Sequence, residues 1–211
     1  MNCFCGGKFE NIEINDIMYE QCSSCGYLRK ITNLSSKEEK ERYDMHVCDS
    51  GYLKYMEMVY EKIKPYIKGV ALDFGCGQIH ALSDLVNKDF KCFYYDLYYY
   101  PTMPNESFDT IILIEVFEHV KDIYSLMIEL KNMLNSFGRI IIMTQVKKYP
   151  LSKWWYMRDK THISFVDNKT MEMLATKTGL LLTIEDGYFV FDLKWYNLWL
   201  FFKVWNIVSL L

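Results

Sequence analysis

Two groups of residues in this chain have the types and spacing to do chemistry. The first is Asp73-Phe74-Gly75-Cys76-Gly77, followed 23 residues after Asp73 by Asp96. Glycines at such a point let the backbone approach a ligand, and a helix start behind them offers free N–H donors. An acid at that distance is suited to accept hydrogen bonds from a ribose diol. A nucleotide dehydrogenase shares this spacing but usually opens Gly-x-Gly-x-x-Gly, with no acid two residues before the first glycine. The second group is Cys3-x-Cys5 and Cys22-x-x-Cys25, with 16 residues between the pairs. That is the spacing of a zinc ribbon, in which two knuckles each give two thiolates to one tetrahedral ion. Gly6, Gly7 and Gly26 after the pairs allow the tight turns that aim N–H groups at sulfur. Four unliganded cysteines and thiol redox chemistry are the competing readings, and the first knuckle departs from the commoner C-x-x-C.

The elements around these residues must position them. Ile12, Ile14, Met18 and Tyr19 alternate as in a hairpin between the two knuckles. Ser35 reads as the cap of a helix with Glu38 and Glu39 in its first turn, reaching Tyr43 or beyond. A second helix is predicted over Tyr52 to Ile63 and is closed by Pro65. From Val70 onward strands and helices alternate. Predicted strands cover 70–74, 90–95, 110–114 and 139–144, the last entered by a Phe137-Gly138 turn, with late strands at 180–184 and 188–191. Helices are predicted over 80–86, 122–134 and 168–178. Strands separated by such helices form parallel βαβ units, so the fold class is α/β with helices on both faces of the sheet.

At this point the sequence resembles the class I S-adenosylmethionine (SAM)-dependent methyltransferases. The matching residues are Leu72-Asp73-Phe74-Gly75-Cys76-Gly77, Tyr95-Asp96, Phe108-Asp109, Glu115-Val116-Phe117-Glu118-His119-Val120 and Phe137-Gly138-Arg139. It looks like a subgroup with an N-terminal cysteine cluster, a Tyr43-Asp44-x-His46 segment before the core, and Trp155-Tyr156-x-Arg158-Asp159-x-Thr161-His162 after the fourth strand. The resemblance implies a Rossmann-like sheet and SAM as cofactor. Asp73, Gly75, Cys76 and Gly77 would border its methionine part, Asp96 would hold the ribose, and Glu115 and Val116 would line the methionine side. Leu97 to Tyr100 are the candidates for the adenine wall. Two departures stand out: Ile79 replaces the family's third glycine, and only 12 residues separate Asp96 from Asp109, which abbreviates the usual third strand and helix.

Methyl transfer asks the protein for alignment, exclusion of water and, for an OH or NH acceptor, a base. His162 and His119 are the candidates, because imidazole titrates near neutral pH. His46, Tyr43, Trp155 and Arg158 are candidates for contact with the acceptor. Lys147, Lys148, Lys153, Arg158 and Lys160 against Asp159 make a basic stretch suited to an anionic acceptor such as a nucleotide-linked sugar, or simply a solvated surface. The expected acceptor is a small molecule, with O-methylation favoured over C- or N-methylation. A SAM-binding module without turnover and an RNA methyltransferase are the alternatives.

Composition bounds these readings. Of the 211 residues 51% are apolar and 24% charged, so the chain folds. A net charge of −3, and an acidic first 34 residues, argue against a grip on nucleic acid. No signal peptide or spanning segment is visible, and seven cysteines without an export signal point to the reducing cytoplasm. Four parts are expected: a zinc-ribbon-like module (1–34), a helical linker or lid (35–62), the SAM-binding core (63–191) and an aromatic apolar tail (192–211). The tail, with Trp195, Trp199 and Trp205, would pack on the core, join a second copy in a homodimer, or rest on a membrane surface.

Overall fold

Successive isoleucines and phenylalanines in the central strands point to opposite sides, and that alternation builds two cores. In the computed structural model, which describes residues 2–32 and 34–194, Ile111, Leu113, Ile140, Ile142, Phe189 and Phe191 face one layer of helices. Ile112, Ile141, Tyr188 and Val190 face the other. Strands buried on both faces read as continuous apolar runs, which explains Thr110-Ile111-Ile112-Leu113-Ile114.

The sheet that carries these residues has six strands. They are β4 (Ala71–Phe74), β5 (Cys92–Tyr95), β6 (Phe108–Ile114), β7 (Leu134–Met143), β9 (Leu180–Glu185) and β10 (Tyr188–Leu193), in the order β5-β4-β6-β7-β10-β9. The first four are parallel, and β10 runs antiparallel to β7 and β9. Helices α2 (Ser50–Ile63) and α3 (Ala81–Val86) cover one face, with Val59, Ile63 and Leu82 buried. Helices α4 (Ile123–Asn132) and α5 (Asn168–Thr178) cover the other, with Met127, Leu130, Met171 and Leu174 buried. This is the α/β architecture expected, and β5 is an edge strand because the stretch after Asp96 forms no third strand beyond it. Strand order reverses beside β4, so a crevice opens at the carboxyl ends of β4, β5 and β6.

The expected Phe137-Gly138 turn is instead part of β7. Pairing with β6 starts at Leu134 opposite Phe108 and resumes at Arg139 opposite Thr110, so the residues between form a bulge. Phe137 takes a left-handed φ of 69° there. A turn-like dipeptide is equally at home in a bulge, and pairing on both sides decides between them.

The N-terminal segment forms β1 (Phe9–Ile14), β2 (Ile17–Cys22) and β3 (Leu28–Lys30), joined between β1 and β2 by the two-residue turn Asn15-Asp16 with both φ positive. Its sheet continues into the remainder of the chain: β3 pairs with β8 (Ser164–Phe165). Tyr19, Leu28, Trp154, Tyr156, Met157 and Phe165 form a third small core across that junction. Lys147, expected among the exposed cations, is buried there. It reaches Asp167 at 2.9 Å and the carbonyl of Gly26, so it clamps the N-terminal sheet and is withdrawn from any anion patch.

Helix α1 (Ser36–Asp44) begins with the expected box, in which Glu38 N–H donates to Ser35 Oγ and Ser35 N–H donates to Glu38. No residue of α1 is buried. Its attachment is polar, as described below. No helix among the described residues is long and apolar enough to cross a membrane. The aromatic tail lies outside the described residues, apart from its first three positions.

Candidate active site

The crevice at the strand ends is a cavity of about 680 Å³, within the range of roughly 300–1,000 Å³ usual for small-molecule sites. Phe74, Gly75, Cys76 and Gly77 form one wall, where β4 hands over toward α3. Gly75 has φ +83° and lies so close to Val116 that a Cβ would sit 2.4 Å from Cγ2. No side chain fits there. Gly77 has φ +70° and nothing within 4 Å of where a Cβ would be, so its backbone is open to the cavity it lines.

Asp96 ends β5 and organises the neighbouring loop. Oδ2 accepts from Gly77 N–H at 3.0 Å, and Oδ1 accepts from Tyr98 and Tyr99 N–H at 2.9 and 3.1 Å. The carboxylate therefore ties the glycine loop to the tyrosine loop and still lines the cavity, with one of its roughly four acceptor positions left for a ligand hydroxyl. Leu97, Tyr98 and Tyr99 line the same end. Ile79 is partly exposed and does not line the cavity, so its replacement of glycine leaves the space open. Asp73 is placed differently from expectation. It is buried behind the wall and accepts from Ser83 Oγ at 2.7 Å, and burial pushes its carboxyl up to about 6.

The opposite end is acidic and imidazole-rich. Glu115, in a left-handed conformation with φ 52°, closes β6 and turns into the cavity. A left-handed non-glycine residue at a strand end is a strained position of the kind that collects at functional sites. The next residues form a 3-10 turn, Phe117–His119, with Phe117 and Glu118 buried. Glu118 accepts from Thr144 Oγ1 at 2.9 Å, and Glu115 accepts from Tyr156 Oη at the same distance. Burial first, and then the neighbouring carboxyl, raise Glu115 to about 8, and burial raises Glu118 as well.

His119 lines the cavity and directs Nδ1 to the carbonyl of Thr161 at 3.1 Å. His162 lies behind it, ring centroids 4.9 Å apart, with Nδ1 2.8 Å from the carbonyl of Tyr156. A backbone carbonyl can only accept, so each Nδ1 carries the proton and each Nε2 a lone pair. Burial lowers both imidazoles, His162 to about 4 with His119 contributing, so both are neutral at pH 7.

The structure thus brings His119, Glu115, Val116, Gly75, Cys76, Gly77, Asp96, Leu97, Tyr43 and His46 to one cavity. His162 is adjacent but does not line it. Trp155, 61% exposed, and Arg158, also exposed, lie outside it, as do Lys148, Lys153 and Lys160. No lysine or arginine among the described residues lines the cavity. Sequence reasoning missed Glu39, Tyr52, Tyr55 and Tyr156. Glu39 accepts from Tyr98 Oη at 2.6 Å, which closes α1 over the cavity, and from Tyr43 Oη of the same helix at 2.9 Å. Asp44 with Tyr99 and Arg42 with Asp159, both at 2.7 Å, fasten the same helix. Tyr52 and Tyr55 fall on the core-facing side of α2 with Met56 and Val59, and phenols on such a face are the one signal that could have found these two.

The four N-terminal cysteines gather in a cluster that does not line the cavity. Cys3 and Cys25 sulfurs are 3.7 Å apart, Cys5 and Cys22 sulfurs 3.4 Å, and all four lie within 4.8 Å of one another. Tetrahedral zinc with Zn–S near 2.3 Å requires sulfurs about 3.8 Å apart. Gly7 and Cys25 N–H groups donate to Cys5 and Cys22 sulfurs. A Cβ at Gly7 would meet Ser24 Oγ at 2.5 Å, so the second glycine of the first knuckle is required by packing.

A family model described as a methyltransferase domain matches residues 27–183. No curated protein matches the sequence. Among solved structures, the SAM-bound magnesium protoporphyrin IX methyltransferase from Synechocystis PCC 6803 aligns with a TM-score of 0.51 at 10% identity, covering 77% of this chain and 93% of that one. A SAM-dependent methyltransferase from Clostridium acetobutylicum gives 0.49 at 15% identity, covering 74% and 98%. A putative methyltransferase from Haloferax volcanii, solved with the Trm112 activator, gives 0.47 at 15% identity, covering 65% and 76%. At these identities the likeness is one of fold.

Proposed function

Because this chain belongs to the methyltransferase-domain family and is a SAM-dependent methyltransferase, we propose that it methylates a hydroxyl of a small acceptor taken into the cavity under α1. The observation that carries this reading is the division of one cavity into two unlike ends. The glycine wall and Asp96 suit a nucleoside with an amino-acid arm, and the His119 end suits a polar acceptor group. SAM supplies a methyl group already activated on a sulfonium. Gly75 and Gly77 bring backbone to the ligand, Asp96 receives a ribose hydroxyl, and Glu115 and Val116 border the methionine arm. His119 offers an Nε2 lone pair at the cavity wall and takes the acceptor's proton, and His162 positions it from behind. The Glu39, Tyr43 and Tyr98 cluster holds α1 closed and keeps water out.

With no cation on its walls, the cavity suits a neutral or cationic acceptor better than the anionic one that the basic stretch suggested. Tyr43, Tyr52, Tyr55 and Tyr98 add flat aromatic surface for it. Tyr43 and His46 are the acceptor contacts this reading keeps, and Arg158 and Trp155 would act only on a substrate portion outside the cavity. The ribbon holds zinc through Cys3, Cys5, Cys22 and Cys25 and is structural, because its sulfurs lie apart from the cavity.

Titration calorimetry with SAM and S-adenosylhomocysteine, followed by a mass-spectrometric search for methylated products in a panel of phenols, alcohols and amines, tests the reading. SAM binding with a product gaining one methyl on oxygen is expected. No binding of either compound at millimolar concentration would reject it, and SAM binding with methyl gain only on nitrogen or carbon would reject the hydroxyl.

A further inference from the structure

Behind the acceptor end of the cavity, Glu118 holds a carboxylate oxygen that nothing among the described residues satisfies. Glu118 is 1% exposed, and while Oε2 accepts from Thr144, Oε1 has no hydrogen-bond partner. A buried carboxylate oxygen left bare is costly and rare. His119 Nε2 lies 3.9 Å from it, too far for a hydrogen bond and, in the tautomer its Nδ1 contact dictates, without a proton to give. His162 is fixed in the same tautomer by Tyr156 O, which leaves its Nε2 bare as well. One ligand atom from each of Glu118, His119 and His162 lies within 4.8 Å of the others. Two imidazoles held by backbone carbonyls and one carboxylate held by a hydroxyl are donors already oriented by a surrounding shell.

We propose that Glu118 Oε1, His119 Nε2 and His162 Nε2 bind a divalent cation of the manganese–iron–zinc class, with its open positions toward the cavity that His119 lines. A carboxylate oxygen without a partner and two imidazoles with bare Nε2 atoms, gathered in one buried place, form a donor set that a positive ion would satisfy. Two nitrogens and one oxygen on one side of an ion leave positions for exogenous ligands. An acceptor hydroxyl entering from the cavity would fill one, and the cation would make that hydroxyl more acidic. The two roles of His119 exclude each other, since Nε2 has a single lone pair: with the cation bound it is a ligand, and proton loss is driven by the cation. This inference rests on the methyltransferase reading only for the identity of the incoming hydroxyl; the cation site stands on the three side chains.

The full chain, purified without chelator, is dialysed to equilibrium against Mn2+, and metal atoms per chain are counted by plasma mass spectrometry beside SAM affinity from calorimetry. Mn2+ is chosen because oxygen and imidazole donors accept it and thiolates do not favour it. Wild type should hold one more metal atom per chain than Glu118→Gln and than His162→Gln, with SAM affinity in both variants within about twofold of wild type and the Mn2+ dissociation constant raised at least about tenfold. Equal metal content in wild type and both variants would overturn the site. Glu118→Gln keeps an acceptor for Thr144, and if it fails to fold, His162→Gln decides. SAM binding without the extra metal would remove the cation and leave the methyltransferase reading standing. Failure to bind SAM would remove that reading, and the metal count would still decide the site.

Discussion

The hydroxyl of Tyr156 donates to Glu115 Oε2 at 2.9 Å, joining a residue of the small core beneath the N-terminal sheet to the acid that closes β6. The same ring lies 4.1 Å from that of His162, whose Nδ1 is held by the Tyr156 carbonyl. The ribbon and the cavity are therefore mechanically one unit, and a tyrosine is the link.

Tyr156→Phe removes that one donor from Glu115, a half-buried carboxyl at the cavity wall. A loss of about 1–2 kcal/mol in stability is expected from urea unfolding. Methyl transfer should fall at least about tenfold while SAM affinity changes little, because Tyr156 does not line the cavity. A variant with wild-type turnover would show that Glu115 needs no such support.

Asp96→Ala should weaken SAM binding by at least about tenfold in calorimetry, since each lost charged hydrogen bond is worth roughly 1.5–3 kcal/mol. It also frees the Gly77, Tyr98 and Tyr99 amides, so the loop should become protease-sensitive. Unchanged affinity would place the ribose elsewhere.

Metal analysis of chain prepared without chelator should find zinc at the cysteine cluster. Stripping it with a strong chelator should lower the melting temperature and change the fluorescence of Trp154, which packs in the core shared by β2, β3 and β8. Turnover should fall with it, through Tyr156 and His162. Retention of both melting temperature and activity in metal-free protein would separate the ribbon from the site.

Asp73 sets a pH dependence of stability. Its carboxyl is raised to about 6 by burial, above the value near 3.9 of an unfolded chain, so folding favours its protonated form. Its contribution is full below about pH 4, is lost as pH rises toward 6, and is a constant penalty above, on the order of 2–3 kcal/mol. Asp73→Asn should reduce that slope in urea unfolding between pH 4 and 7, leaving the part due to Glu115 and Glu118, and be the more stable protein at neutral pH. An unchanged slope would mean that another carboxyl produces it.

Glu39→Ala should open α1, whose attachment is made by polar contacts and not by buried residues. Faster proteolysis within 36–44 and a raised KM for the acceptor are expected, with the core's melting temperature unchanged. A helix that stays protected would point to Arg42–Asp159 and Asp44–Tyr99 as sufficient fasteners.

What was legible in the residues themselves is whatever depends on neighbours in the chain. The apolar run 110–114 predicts a strand buried on both faces, Ser35 with Glu38 predicts a capped start, and Asp167 and Gly179 bracket α5 from Asn168 to Thr178 as its N-cap and left-handed C-cap. Glycines beside acids at a strand end, at the spacing of Asp73 and Asp96, predict a nucleotide crevice for the same local reason: the backbone geometry is set within a few residues. Cysteine spacing likewise determined which four sulfurs would meet.

What only the tertiary structure decided is which side chains meet across long separations and how deep each is buried. Asp73 and Asp96 both read in sequence as acids bordering the cofactor, yet burial separates them, one behind the wall and one on it. Lys147 reads as a surface cation until β3 and β8 pair and enclose it with Asp167. His162 and His119 are far apart in the chain and are brought to 4.9 Å by packing alone, with Glu118 Oε1 left bare beside them. Protonation, tautomer and ligand geometry follow from solvent exclusion and partner atoms, and neither is written in the spacing of residues along the chain.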